Sequence, residues 1–176
     1  MDRMANFLAP GRLLNALLLV VLALSATGCG YSSKELFPTQ YNTVAVPIFE
    51  NRTFYRGMEF ELAESMVKQI ESRTPYKVVA PGGAQTIMEG TITNVEQTQL
   101  SRRRPGGVPQ EVELTVTADF VWKDLGSGEV ITDRRGFVAV GRYIPTSGIG
   151  EPIEIAQHLA IQRMASDIVS TMRSDW

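Results

Sequence analysis

Val112-Glu113-Leu114-Thr115-Val116-Thr117-Ala118-Asp119-Phe120-Val121-Trp122-Lys123 alternates apolar and polar side chains for almost its whole length; only Val121 breaks the pattern. Side chains on a strand point to opposite faces with a period of two, so this run predicts a strand with one buried face. The other face then carries Glu113, Thr115, Thr117 and Asp119, a surface suited to water or a polar partner rather than to lipid. Gly126-Ser127-Gly128 turns the chain into a further strand at about residues 129–140.

Upstream, Thr86 to Leu100 is rich in Thr and Ile and also predicts a strand. Ile92 and Val95 fall on opposite parities there, which a bulge near Asn94 reconciles. Tyr76 to Val79 is a short strand stopped by Pro81-Gly82-Gly83. Thr43-Val44-Ala45-Val46-Pro47-Ile48-Phe49 is another, and Pro47, which cannot donate to a ladder, marks it as an edge or a bulge.

Two segments change period. Met58 to Ser72 places Phe60, Ala63, Val67 and Ile70, with Leu62 and Met66, on one helical stripe. Glu59, Glu61 and Glu64 crowd its first turns and Arg73 its last, as the helix dipole favours, and Pro75 stops it. Pro152 opens a second helix whose apolar positions are Ile155, Ala156, Leu159, Ala160, Met164, Ile168, Val169 and Met172. The order is β-α-β-β-β-β-α. Two amphipathic helices and a single-faced sheet bury one another as a two-layer α+β sandwich, with both helices on one face of a mostly antiparallel mixed sheet.

The chain's start reads as an address. Arg3 and Arg12 precede an apolar run from Leu13 to Leu24, then Ser25-Ala26-Thr27-Gly28. Twelve residues make about 18 Å of helix against a bilayer core of about 30 Å, so residues 1–28 are expected to be a removable export signal. The chain's one cysteine, Cys29, follows at once. Ala26-Thr27-Gly28-Cys29 is similar to a bacterial lipobox, which makes Cys29 an expected acylated anchor. Gly30 rather than Asp follows it, which in similar lipoproteins accompanies delivery to the outer membrane. Residues 29–42 are then the lipidated Cys and its tether, and residues 43–176 a single domain.

Of 176 residues, 17 are Lys or Arg and 19 Asp or Glu, a formal charge of −2 that excludes the bulk polycation of a nucleic-acid binder. Without residues 1–28 the chain keeps 15 basic and 18 acidic groups. One Cys excludes an intrachain disulfide and a CxxC site. One His, His158, lies in the second helix, and no Gly-x-Ser-x-Gly turn exists to present a nucleophile. Gly82-Gly83 and Gly106-Gly107 lack the spacing of a phosphate loop. The expectation is a non-enzyme with no catalytic residues, no metal site and no cofactor.

One charged feature rises above this background. Arg102-Arg103-Arg104-Pro105-Gly106-Gly107 sits at the turn between the two long strands, with Arg134-Arg135 and Arg142 further along. Adjacent guanidiniums repel one another unless an anion is near, and the guanidinium fork suits phosphate and carboxylate. The residues alone leave two readings open: an anionic glycolipid or polymer site, or solvated tips and edge-guarding charges.

Cys29-Gly30-Tyr31, the run Thr43 to Phe49 continued by Glu50-Asn51-Arg52-Thr53, the helix opening at Gly57-Met58-Glu59, and Glu89-Gly90-Thr91-Ile92 together resemble the lipopolysaccharide-assembly lipoprotein family (LptE). The resemblance spans nearly the whole of the chain after Gly28. It implies an outer-membrane lipoprotein whose domain faces the periplasm or sits inside a large β-barrel, the lipopolysaccharide translocon (LptD). There it would plug the barrel, help it assemble and bind lipopolysaccharide. In the family, basic residues of the middle hairpin and of the loop before the last helix contact lipopolysaccharide; Arg102, Arg103 and Arg104 fall in the first region and Arg142 in the second. The strand followed by Pro-x-Phe-x-Asn-x-Thr also resembles activators of peptidoglycan synthases and curli-secretion lipoproteins, the alternative reading. The short spacer after Cys29 favours a domain held close to the membrane.

Overall fold

A computed structural model describes residues 36–100, 111–143 and 153–173. The elements are β1 (Thr43–Ala45), β2 (Glu50–Asn51), α1 (Met58–Arg73), β3 (Lys77–Val78), β4 (Thr86–Gln99), β5 (Val112–Asp124), β6 (Val130–Tyr143) and α2 (Ile153–Ser170). The expected α+β order holds, with the first strand interrupted: β1 and β2 both run parallel to β4, against Thr86–Ile87 and Thr91–Ile92 respectively. Pro47 lies in the gap. The sheet order is β3-β1-β4-β5-β6 with β2 beside β4; β4, β5 and β6 are antiparallel neighbours.

β5 is central to the long antiparallel part, and Val112, Leu114, Val116, Ala118, Phe120 and Trp122 are all buried toward the helices. Its opposite parity, Glu113, Thr115, Thr117 and Asp119, is half-exposed. The register of β4 against β5 shifts between Ile92 and Asn94, so both Ile92 and Val95 face Ala118 and Val116 on one side. There the Thr93 hydroxyl donates to the Thr117 carbonyl at 3.2 Å.

The helices lie parallel to each other along a polar seam. Glu61 meets His158, Gln162 donates to the Ser65 hydroxyl at 2.8 Å, and the Arg73 guanidinium reaches the hydroxyls of Ser166 and Ser170 at 2.7 and 3.2 Å. Below the seam α1 buries Met58, Leu62, Ala63, Met66 and Ile70. Phe60, expected on that stripe, instead points outward at 59% exposure. With apolar residues on both sides of Glu61, the i, i+4 series starting at Met58 is the one that meets the sheet. In α2 the buried series is Ala156, Ala160, Ile161, Met164, Ala165, Ile168 and Val169, while Ile155 and Leu159, also expected inside, are exposed. The reason is how closely α2 approaches β6: a Cβ on Gly141 would run into the Ala156 carbonyl. Small residues therefore occupy the contact, and the larger ones flank it.

Residues before Thr43 take part in the fold. Phe37 and Tyr41, inside the stretch read as tether, are buried against Tyr76 and Trp122. The Tyr76 hydroxyl donates to the Pro38 carbonyl at 3.0 Å, and the Tyr41 hydroxyl to Asp124 at 3.1 Å. Two aromatic rings bury enough apolar area to hold an otherwise polar segment down. Residues 1–35, including the expected signal and Cys29, lie outside the described residues.

Candidate functional site

The long hairpin of β4 and β5 positions the arginine run. The two strands pair up to Gln99 and Val112, and the Leu100 amide donates to the Glu111 carbonyl at 3.1 Å, so the loop springs from a ladder intact to its last rung. Arg102, Arg103 and Arg104 lie within 101–110, outside the described residues.

Arg142 is described, on β6 directly opposite Glu113 of β5. Its Nε donates to the Glu113 carboxylate at 3.0 Å and stands 3.9 Å from that of Glu111. Sequence alone places Arg142 near the end of a strand; the antiparallel register supplies its acidic partner, 29 residues away. A groove beside it is lined by Glu113, Val140, Gly141, Arg142, Leu159 and Arg163. Arg163, which nothing in the sequence alone sets apart from the other polar positions of α2, is thereby brought to the same place. Arg134 and Arg135 stand exposed lower on β6.

The half-exposed sheet face is mostly polar, with Val121, Val138 and Val140 set among its threonines and acids. Nearer β2 it forms an open hollow lined by Pro47, Ile48, Glu50, Glu89, Thr91, Asp119, Asp133 and Arg135, among others. The Lys123 ammonium neutralises Glu89 at 2.6 Å, and Arg52 pairs with Glu50 at 2.9 Å. That guanidinium's hydrogen bond holds the Glu50 carboxyl below the usual range. Asp119 accepts the Gly136 amide at 2.7 Å, where Gly136 adopts a left-handed φ of 62° and makes the bulge of β6. Charges on this face are thus largely paired, as befits a surface that meets water or polar protein.

The three glutamates at the start of α1 diverge. Glu59 accepts from the Asn51 side chain at 2.7 Å and from the Gly57 amide at 3.1 Å, Glu61 meets His158, and Glu64 pairs with Lys68 at 2.8 Å. Asn51 also donates to the Tyr55 carbonyl and accepts from the Thr53 amide and hydroxyl, so the stretch Glu50-Asn51-Arg52-Thr53 serves to lock the loop into α1. Among the described residues no group of three His, Cys, Asp or Glu is arranged to hold a metal. Among them too, no helix is long and apolar enough to cross a membrane. His158 touches no hydroxyl or thiol within hydrogen-bonding distance there; its one side-chain partner is Glu61.

A family model described as LptE, lipopolysaccharide-assembly, matches residues 41–175. No curated protein matches the chain. Among solved structures, the chain is similar to a protein from Xanthomonas campestris, with 10% identity, a TM-score of 0.51, and 74% of this chain and 83% of that one covered. It is also similar to a hypothetical protein from Chlamydia trachomatis, with 11% identity, a TM-score of 0.50, and 74% and 95% covered. Rare lipoprotein B from Shewanella oneidensis matches with 15% identity and a TM-score of 0.44, over 74% and 90%. At these identities the first two likenesses speak for the fold alone.

Proposed function

Because the chain belongs to the LptE lipopolysaccharide-assembly family, we propose that it is an outer-membrane lipoprotein that plugs a large β-barrel translocon, helps that barrel assemble, and binds lipopolysaccharide on its way to the outer membrane. It performs no catalysis in this reading and needs no cofactor. The observation that carries the proposal is the two-sidedness of the sheet. One face is sealed by α1 and α2, and the other presents Glu113, Thr115, Thr117 and Asp119, with Glu113 paired to Arg142 and Asp119 hydrogen-bonded to the Gly136 amide. Barrel lumens are lined by polar side chains, so a domain of this kind can enter one without burying unpaired charge.

Within that reading residues 1–28 are the export signal, Cys29 carries the lipid, and residues 43–176 form the lumenal domain, joined by Phe37 and Tyr41 from the tether. Several acyl chains at about 0.8 kcal/mol per buried CH₂ hold such a protein stably on a membrane. Arg102, Arg103 and Arg104, in the segment joining β4 to β5 in sequence, and Arg142 on β6 are the proposed contacts to lipid A phosphates or acidic core sugars.

The test begins with purification of the tagged lipoprotein from gently solubilised outer membranes and mass spectrometry of what accompanies it. A stoichiometric large β-barrel is expected. A peptidoglycan synthase in its place moves the protein to the activator class. Changing Arg102, Arg103 and Arg104 together to Ala should then weaken lipopolysaccharide binding and flatten its salt dependence, since three phosphate-facing charges are lost. Unchanged binding at low salt removes these residues from the site.

A further inference from the structure

β6 ends the sheet: among the described residues nothing pairs with its outer edge over fourteen residues. An open edge strand presents a row of unpaired amide and carbonyl groups, and proteins usually guard such an edge with charges or a bulge. Here the guard covers one half. Asp133, Arg134 and Arg135 stand exposed around the Gly136 bulge, whereas the stretch from Phe137 to Gly141 carries neither charge nor irregularity.

The unguarded half is also where two cations converge from different layers. Arg142 comes from the polar face of the sheet and Arg163 from α2, and both line the groove that runs past Val140 and Gly141. The pressing of α2 onto Gly141 is what brings them together, because it sets the turn holding Leu159 and Arg163 beside the strand's edge. Arg142 spends only its Nε on Glu113, leaving the two terminal nitrogens of its fork without a hydrogen bond among the described residues. Arg163 makes no ion pair among them. Leu159, 47% exposed, gives the groove an apolar wall.

We propose that the Phe137–Arg142 half of β6 is a docking edge for an extended, carboxylate-bearing segment of a protein partner, which adds as a further strand and is clamped by Arg142 and Arg163. Main-chain hydrogen bonds to the edge supply affinity in such strand addition, and side-chain contacts select the partner. A phosphate group on Arg142, as proposed above, would engage the guanidinium and leave the backbone row unpaired, so glycolipid and strand are alternative occupants of this end of the edge and the strand alone uses all of it. An acidic strand satisfies both, with one apolar side chain against Leu159. The proposal rests on the reading that this domain works docked against a protein, and it names the surface and the chemistry of the docked segment.

The probe is an eight-residue peptide alternating Glu with Thr and Val, added at millimolar concentration to the full-length lipoprotein in detergent, with amide hydrogen exchange as the readout. Exchange across 137–143 should slow by about tenfold or more, since strand addition closes the open edge. Arg163→Glu, a change at an exposed helix position that leaves the fold intact, should abolish the protection, as should replacing the peptide's Glu residues by Lys. No protection with wild-type protein overturns the proposal. So does protection that survives Arg163→Glu, or inorganic pyrophosphate competing for the arginines while the peptide leaves β6 exchange unchanged. Co-purification of the barrel reports separately: a barrel present with β6 unprotected in the complex overturns the docking edge alone, and peptide protection without any barrel overturns the plug reading alone.

Discussion

On one flank of the sheet, β1 and β3 contribute three and two residues, and almost everything around them is closed. Gln85 caps the start of β1 by accepting from the Asn42 and Thr43 amides, and its own amide donates to the Thr43 hydroxyl. Phe37, Tyr41, Tyr76 and Trp122 pack edge-on or tilted at centroid distances near 6 Å. On the other flank β6 runs fourteen residues with no strand on its outer edge among the described residues, and its neighbour β5 forms the long hairpin with β4. Short strands need sealing because they bury little by themselves, while long ladders are stable enough to leave surface available. The sealed flank holds Phe37 and Tyr41, and the open flank carries Arg142 and Arg163.

The largest expected effect breaks the sealed flank. Trp122→Ala removes a fully buried side chain from beneath Tyr41 and Tyr76 and should cost about 3–5 kcal/mol, read as a loss of about 10 °C or more in Tm. On the open flank, Gly141→Val forces a side chain into the Ala156 carbonyl; about 1–3 kcal/mol should be lost in urea denaturation. Wild-type stability of that variant would show that α2 does not bear on β6 as described. Between the flanks, Asn51→Ala strips the loop lock of a side chain that donates twice and accepts twice. About 1–2 kcal/mol is expected, with faster amide exchange confined to residues 51–59. The smallest effect concerns acid. The Ser127 and Gly126 amides, with the Tyr41 hydroxyl, hold the Asp124 carboxyl below its ordinary 3.8. A carboxyl depressed in the folded state stabilises fully above its unfolded value, and that contribution fades as the pH falls through the folded one. Asp124→Asn should therefore lower stability modestly across the neutral range and flatten its further loss below about pH 4, where the protonated wild-type carboxyl contributes no more than the amide.

Much of the fold was legible because it rests on local periodicity. The alternation of β5, the bulge that lets Ile92 and Val95 share a face, and the bounds of the first helix follow from side-chain geometry over a few residues. What escaped depends on distant partners. Phe37 and Tyr41 look like stray aromatics in a polar stretch until Tyr76 and Trp122, far along the chain, arrive to cover them. Phe60 and Met58 are equally plausible core residues of an isolated helix; only the placement of α1 over the sheet chooses Met58. β2, two residues long, has no period at all. The insertion of β1 between β3 and β4 is likewise a matter of pairing rather than of pattern. For the candidate site, Arg142 was visible as a charge, but its bond to Glu113 and its meeting with Arg163 exist only through strand register and helix docking.

The seam between the helices has a kinetic consequence. Its hydrogen-bonded partners are 93 to 97 residues apart, and one of each pair belongs to the last element of the chain. Closing a loop of that length costs entropy before its contacts repay it, and domains dominated by such distant contacts fold slowly. Until α2 is made, Leu114, Val116 and Ala139 have no cover, so no shorter piece of the chain can complete the core. For the exported chain proposed above, that dependence favours crossing before folding, because the core closes only after the final helix has followed the rest.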